Sequence, residues 1–211
     1  MAWRRPKFSR MSDKRPIELG NHLQGQLLIA MPDMSDPRFK RCVVQLCAHS
    51  DDGAMGLIIN NRLDDLNLGE LFEQVELASA DDEVPVSDAN AGRPVYNGGP
   101  VDTHRGFVLH SPDYYSEDAS LKVTETVCLT ATPDVLTAIA IGEGPLSSLV
   151  ALGYAGWSPG QLEAELGANV WLNCPSDPSI VFAQDDADKY ALAMAKIGID
   201  PSHLVSAAGR A

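Results

Sequence analysis

Apolar and polar residues fall into short blocks along this chain, and their spacing predicts most of its elements. Gln26 to Met31 (QLLIAM) is an almost unbroken apolar run stopped by Met31-Pro32-Asp33, the pattern of a buried strand. A second turn, Asp36-Pro37-Arg38-Phe39, leads into the runs CVVQLC and AMGLIIN. These flank the polar turn Asp51-Asp52-Gly53 and predict a strand–turn–strand hairpin around Cys47 to Asn60.

Past the hairpin the period lengthens to that of a helix. Asn67 and Glu70 have capping-box spacing, and Leu68, Leu71, Phe72 and Val75 fall on one face. Residues 78–93 show no period and read as an acidic surface loop. Two short strand-like runs then surround Gly98-Gly99-Pro100, and ETVCLTA is a further strand. Thr132-Pro133 opens a helix whose apolar face is Val135, Leu136 and Ile139, with Gly142 at its end. SLVALGYAG, another buried strand, runs into Ser158-Pro159-Gly160-Gln161, which reads as a capping box with Pro at the first helical position. Leu162 and Leu166 face inward, and Gly167 closes that helix. NVWLNC and SIVF read as late strands. The last helix, from about Asp186 to Ile197, sets Tyr190, Met194 and Ile197 on one side before Gly198.

Composition narrows this picture. With 211 residues, 45% apolar and no Pro/Gly/Ser linker, the chain is expected to form one sizeable domain. No run approaches the ~18 apolar residues of a membrane span. The net charge of −13 argues against direct nucleic-acid binding and against anionic membrane surfaces. Residues 1–16 go the other way, with six Lys/Arg and one Asp. The expectation is a disordered basic arm over residues 1–22 and a folded domain over 23–211. Arg4-Arg5 lacks the apolar stretch an export signal needs, and Met11 offers an alternative start. Cys42, Cys47, Cys128 and Cys174 form no CxxC pair, which fits a reducing cytoplasm.

The candidate chemistry begins at the hairpin. Side chains alternate along a strand, so Cys47 and His49 are expected to share a face, as a reactive thiol with an orienting base. The alternative is a buried cysteine beside a hydrogen-bonded histidine. Cys47 and His49 with His104 and His110 are considered as a metal set, but no ligand spacing supports one and no metal is expected. Gly156-Trp157-Ser158-Pro159-Gly160 spells G-x-S-x-G, but Pro159 has no N–H to donate to an oxyanion, so Ser158 is read as a helix cap. Gly98, Gly99, Arg105, Trp157 and Ser158 remain as a candidate anion- or nucleotide-binding set. Paired glycines let a ligand approach the main chain, and a helix start attracts negative charge.

Several stretches together resemble one family. LIAMPDMSDPRFKRCVVQLCAHSDDGAMGLIIN, NGGPVDTHRGFVLHS, and LGYAGWSPGQLEAEL with NVWL are similar, in order and spacing over about residues 23 to 209, to the AlgH/YqgE family of bacterial cytosolic proteins. The resemblance implies a mixed α/β (α+β) single domain, with a strongly curved, partly barrel-like mixed sheet and outer helices. The family's recurring stretches map onto Cys47, His49, Gly53, Met55, Gly56 and Asn60. They also map onto Gly98, Gly99, Pro100, Arg105, Gly106 and His110, and onto Gly153, Tyr154, Trp157, Gly160, Gln161 and Trp171. A regulatory role is implied by the family's name, which refers to transcription of alginate genes. The expectation is a non-enzymatic regulatory or ligand-binding protein without a cofactor. Its partner is a small molecule or a protein, its effect on transcription is indirect, and its oligomeric state is open.

Overall fold

The computed structural model describes residues 23–76 and 86–199. The basic arm, most of the acidic loop after residue 76 and the C-terminal residues lie outside that range, as does the Val75 side chain. In chain order the elements are β1 (Gln26–Ala30), a 3-10 turn (Pro37–Phe39), β2 (Val43–Ser50), β3 (Gly53–Ile58), β4 (Arg62–Asn67), α1 (Leu68–Glu76) and α2 (Asp88–Ala91). Then come β5 (Pro94–Asn97), β6 (Val101–His110), β7 (Ser120–Lys122), β8 (Cys128–Thr130), α3 (Pro133–Ile141) and β9 (Ser148–Trp157). The described part closes with α4 (Gln161–Gly167), β10 (Trp171–Pro175), α5 (Pro178–Val181) and α6 (Asp186–Lys196).

The strands form one curled mixed sheet in the order β10-β1-β2-β3-β9-β6-β8-β7, with β4 and β5 branching from β9. Only the β5–β9 pairing is parallel among the described strands. β9 holds the sheet together because its ten residues serve three neighbours. Val150 to Leu152 pair with β5, Ala155 to Trp157 pair with β3, and β6 runs along the other edge. Gly153, at φ +73, sits where β9 changes partner.

Three apolar groups fill the layers. Leu27, Ile29, Val43, Leu57, Phe107 and Leu109 pack under Tyr190 and Met194 of α6. Leu68 and Leu71 of α1 meet Val135, Leu136 and Ile139 of α3 over β5, β6 and β9. Leu162 of α4 packs with Leu28, Val44, Leu46, Trp157 and Trp171. Each fully buried Leu or Ile contributes about 1.5–3 kcal/mol by leaving water, which makes these stripes the main reason the helices dock.

The hairpin, the α3 stripe and the α6 stripe stand as expected. So does the box at α1: Asn67 Oδ1 accepts the Glu70 N–H at 3.0 Å, and Glu70 Oε2 accepts the Asn67 N–H at 2.8 Å. Three expectations need correction, and one strand went unforeseen. SIVF is not a strand: Asp177-Pro178 starts the short helix α5, with Asp177 accepting the Ser179 N–H. Arg62–Asn67 (RLDDLN) is a strand that its polarity concealed. The expected loop over 78–93 contains α2. Helix α4 starts at Gln161 after Gly160 at φ +74, so Ser158 lies before the helix instead of capping it.

Candidate functional site

The residues singled out in the sequence do not gather in one cleft. Pairing of β2 with β3 shifts between Leu46 and Ala48, which makes Cys47 the extra residue of a bulge. One extra residue reverses the alternation that follows it. Cys47 therefore packs among Leu27, Ile29 and Val43, whereas His49 turns to the opposite face and meets α4. The expectation of a shared face is wrong for that reason. Burial pushes the Cys47 thiol up to about 12, against a weaker opposing backbone hydrogen bond from Leu57. Its Sγ donates to the Gln45 carbonyl at 3.3 Å.

His49 Nδ1 accepts the Leu23 N–H at 3.0 Å, so in the neutral ring Nε2 carries the proton and faces Glu163 Oε1 at 2.7 Å. The Glu163 carboxyl is held below its ordinary value chiefly by its own backbone N–H, with His49 adding to that against the opposing effect of desolvation. The pair fastens the chain at Leu23 and the end of β2 to α4. His110 is buried between the Ser111 carbonyl and Thr130 Oγ1, both at 2.8 Å. His104 is exposed. Among the described residues, no group of three His, Cys, Asp or Glu side chains comes together as a metal site.

The glycine pair is filled by protein. The Gly98 N–H donates to the Leu152 carbonyl at 2.8 Å, and the Gly99 N–H donates to Asn97 Oδ1 at 3.2 Å. A Cβ on Gly98 would lie 2.3 Å from the Gly153 oxygen, and one on Gly99 would lie 2.2 Å from the Tyr154 carbonyl carbon. These glycines allow the chain to cross β9 closely, and their donors are spent. Arg105 lays its guanidinium 5.1 Å from the centre of the Phe107 ring, with Nε buried and unpartnered among the described residues. Trp157 packs edge-to-face on Trp171, with ring centres 5.9 Å apart. Both indole N–H groups donate to Glu165 Oε2, at 2.9 and 2.8 Å. Ser158 is exposed, and its N–H donates to Gln161 Oε1 at 3.0 Å.

The described surface does hold an open cleft, of about 360 Å³, on the other side of the hairpin's start. The loop Pro37–Cys42 forms one wall, Asn60 and Asn61 form another, and the first turn of α6 closes it. Arg41 takes φ +55, a left-handed conformation that a side chain with a Cβ adopts at a cost. Asn60 fixes it by donating to the Arg41 carbonyl at 2.9 Å and accepting the Val43 N–H at 2.8 Å. The Arg41 guanidinium lies 4.8 Å from the centre of the Tyr190 ring. Cys42 also borders the cleft, with its thiol pushed up to about 11 by burial and its Sγ donating to the Arg38 carbonyl.

Beneath the cleft, Asp186 joins a buried polar group. Its Oδ1 is 3.0 Å from Lys189 Nζ and accepts the Tyr96 hydroxyl at 2.9 Å, and its Oδ2 meets Arg62 Nε. Lys189 is 1% exposed and also donates to the Ile59 carbonyl at 2.7 Å. Burial pulls its ammonium below the ordinary lysine value, while Asp186 opposes that shift. Sequence reasoning missed this group. The available signal was Lys189 itself, a lysine on the same helical stripe as Ala193 and Met194.

Residues 27–202 match a family model described as AlgH-like. A UPF0301 protein of Nitrobacter hamburgensis is 50% identical over 191 residues, covering 90% of this chain and 88% of that one. A UPF0301 protein of Beijerinckia indica is 49% identical and covers 97% and 100%. The solution structure of the AlgH protein from Pseudomonas aeruginosa aligns with a TM-score of 0.71 at 42% identity, over 95% of this chain and all of that one. A crystal structure from Corynebacterium diphtheriae, at 19% identity and TM-score 0.64, shares the fold.

Proposed function

The chain belongs to the AlgH-like family, whose biochemical function is not established, and on that premise we propose that it is a non-enzymatic regulatory protein. It works by binding a small molecule or a protein partner, in the cytoplasm, and any effect on transcription is indirect. The observation that carries this reading is the state of its nucleophiles. Cys42, Cys47, Cys128 and Cys174 are all buried and outside any disulfide, and burial raises the pKa of each. A thiol above its ordinary value is a poor nucleophile at neutral pH. Cys47 and His49 face apart and form no nucleophile–base pair, and Pro159 after Ser158 has no N–H to offer an oxyanion. What the surface offers instead is an open polar cleft.

Alkylation by iodoacetamide tests the reading. Cys47 is expected to react only when the protein unfolds, with labelling that tracks denaturant. Rapid native labelling with an apparent pKa below ~8.5 would replace the proposal with a thiol-based activity. A salt-sensitive, sequence-specific gel shift with duplex DNA would remove the indirect route, because an acidic surface repels phosphate.

A further inference from the structure

We infer that the cleft beside Arg41 binds the phosphoryl group of a small phosphate ester, an inference that rests on the binding-protein reading and names the ligand's chemistry. Charge bookkeeping across the molecule points there. Nine Lys/Arg lie within the described residues, and five of them, Arg38, Arg62, Lys122, Lys189 and Lys196, pair with carboxylates. Arg93 is spent on the Ser148 carbonyl and hydroxyl. Lys40, Arg41 and Arg105 have no acidic partner among the described residues. Two of the three are adjacent in sequence, and both line the same cleft.

The backbone supplies a second, independent argument. Position 41 has a left-handed conformation that glycine or asparagine would adopt more readily than arginine. Asn60 holds it there from both sides, and the guanidinium is steadied on the Tyr190 ring. A strained, clamped arginine at the mouth of a cleft is positioned more than packing requires. The charge of the cleft's own carboxylate, Asp186, is offset by Arg62 and Lys189, and its Oδ1 accepts the Tyr96 hydroxyl.

The charge and size select the ligand. Lys40 and Arg41 together offer two positive charges, which matches a phosphate monoester near neutral pH better than a single carboxylate. A volume of about 360 Å³ exceeds a bare phosphate and reaches the lower range of small-molecule sites. Pro37 and Asn61 line the same cleft, one giving an apolar edge for the ester's organic part and the other a polar one.

Calorimetric titration of the full chain with phenyl phosphate, inorganic phosphate and benzoate tests this. Phenyl phosphate should bind saturably, inorganic phosphate more weakly, and benzoate at least tenfold more weakly. Arg41→Gly suits the left-handed backbone, so it should fold with an unchanged or higher Tm while weakening phenyl phosphate at least tenfold. Lys40→Ala should weaken it several-fold. Since both variants keep the basic N-terminal arm, loss of binding locates the site in the cleft. Equal affinity for benzoate overturns the phosphoryl assignment, and affinity unchanged in both variants overturns the cleft. If none of the probes binds at millimolar concentration, the inference fails while the non-enzymatic reading stands. Release of phenol from phenyl phosphate, lost in Arg41→Gly, would instead overturn the non-enzymatic reading.

Discussion

Glu165 is expected to hold the α4 side of the sheet through two indoles, and its removal should be costly in a way that charge alone does not explain. Its Oε2 accepts Trp157 Nε1 and Trp171 Nε1, whose residues are 7% and 3% exposed, and its Oε1 accepts Gln161 Nε2 at 2.9 Å. Glu165→Ala strands two buried indole donors. A buried donor left without a partner costs about 1–3 kcal/mol, and Glu165 is half-buried, so water recovers part of this. The expected loss is about 2–4 kcal/mol. Glu165→Gln keeps an acceptor oxygen for the indoles and loses only the charge assistance, so its expected cost is about 1 kcal/mol. Urea unfolding followed by tryptophan fluorescence reads the site directly, since two of the chain's three tryptophans are involved. At a slope of about 2–3 kcal/mol/M, the alanine variant should unfold about 1 M earlier and the glutamine variant less than half as much. An alanine shift below about 0.2 M, or equal shifts for the two variants, would refute the reasoning. It would also reopen Trp157 as a residue held for ligands.

Three other outcomes follow from the geometry. Gly99→Ala should lose more than about 3 kcal/mol or fail to fold, because its Cβ lands on β9 backbone, whereas Gly92→Ala, which meets nothing within 4 Å, should be neutral by thermal melting. Lys189→Met should cost about 3–5 kcal/mol in urea by orphaning the Ile59 carbonyl and part of Asp186, while Arg62→Met, at the exposed end of the same group, should cost less than half of that. Equal costs would show that the buried lysine is not the critical partner. Burial holds the His110 imidazole below its ordinary value, against opposing contributions from the Ser111 carbonyl and Asp113. The unfolded chain therefore binds a proton that the folded one refuses, and Tm should fall as pH drops below about 6.5. His110→Gln should flatten that slope. Asp177, held at about 2 by Lys196 and Ser179, loses its contribution only below about pH 4, so the two effects separate on the pH axis.

Much of the fold was legible because its signals are local. The hairpin turn, the Asn67–Glu70 box and the helical stripes each involve residues within a few positions of one another. The failures came where a neighbour distant in sequence decides. Strand β4 carries Asp64 and Asp65 on a partly exposed branch, so no apolar alternation marks it. SIVF has strand composition, but Asp177-Pro178 satisfies a helix start and four residues suffice to fill the space under α6. At the candidate site, strict alternation placed Cys47 beside His49, and a single bulge residue undid that. Gly98 and Gly99 were recognised as special, but sequence does not distinguish a backbone that makes room for a ligand from one that makes room for another strand. Arg41 was invisible because nothing in its letter reports a positive φ.

The branching of the sheet at β9 also sets a timetable for synthesis. β1 is flanked in the finished molecule by β2 and by β10, whose first residue follows Ala30 by 141 positions. At roughly 5–20 residues per second, a ribosome takes about 7–28 s to deliver that partner. β3 and β6 likewise wait for β9. The nascent N-terminal strands thus leave the exit tunnel with open edges that only late-made segments cover. Such long-range closure is slow and exposed to mispairing, so protection of the growing chain matters more for this fold than for one built from successive neighbours.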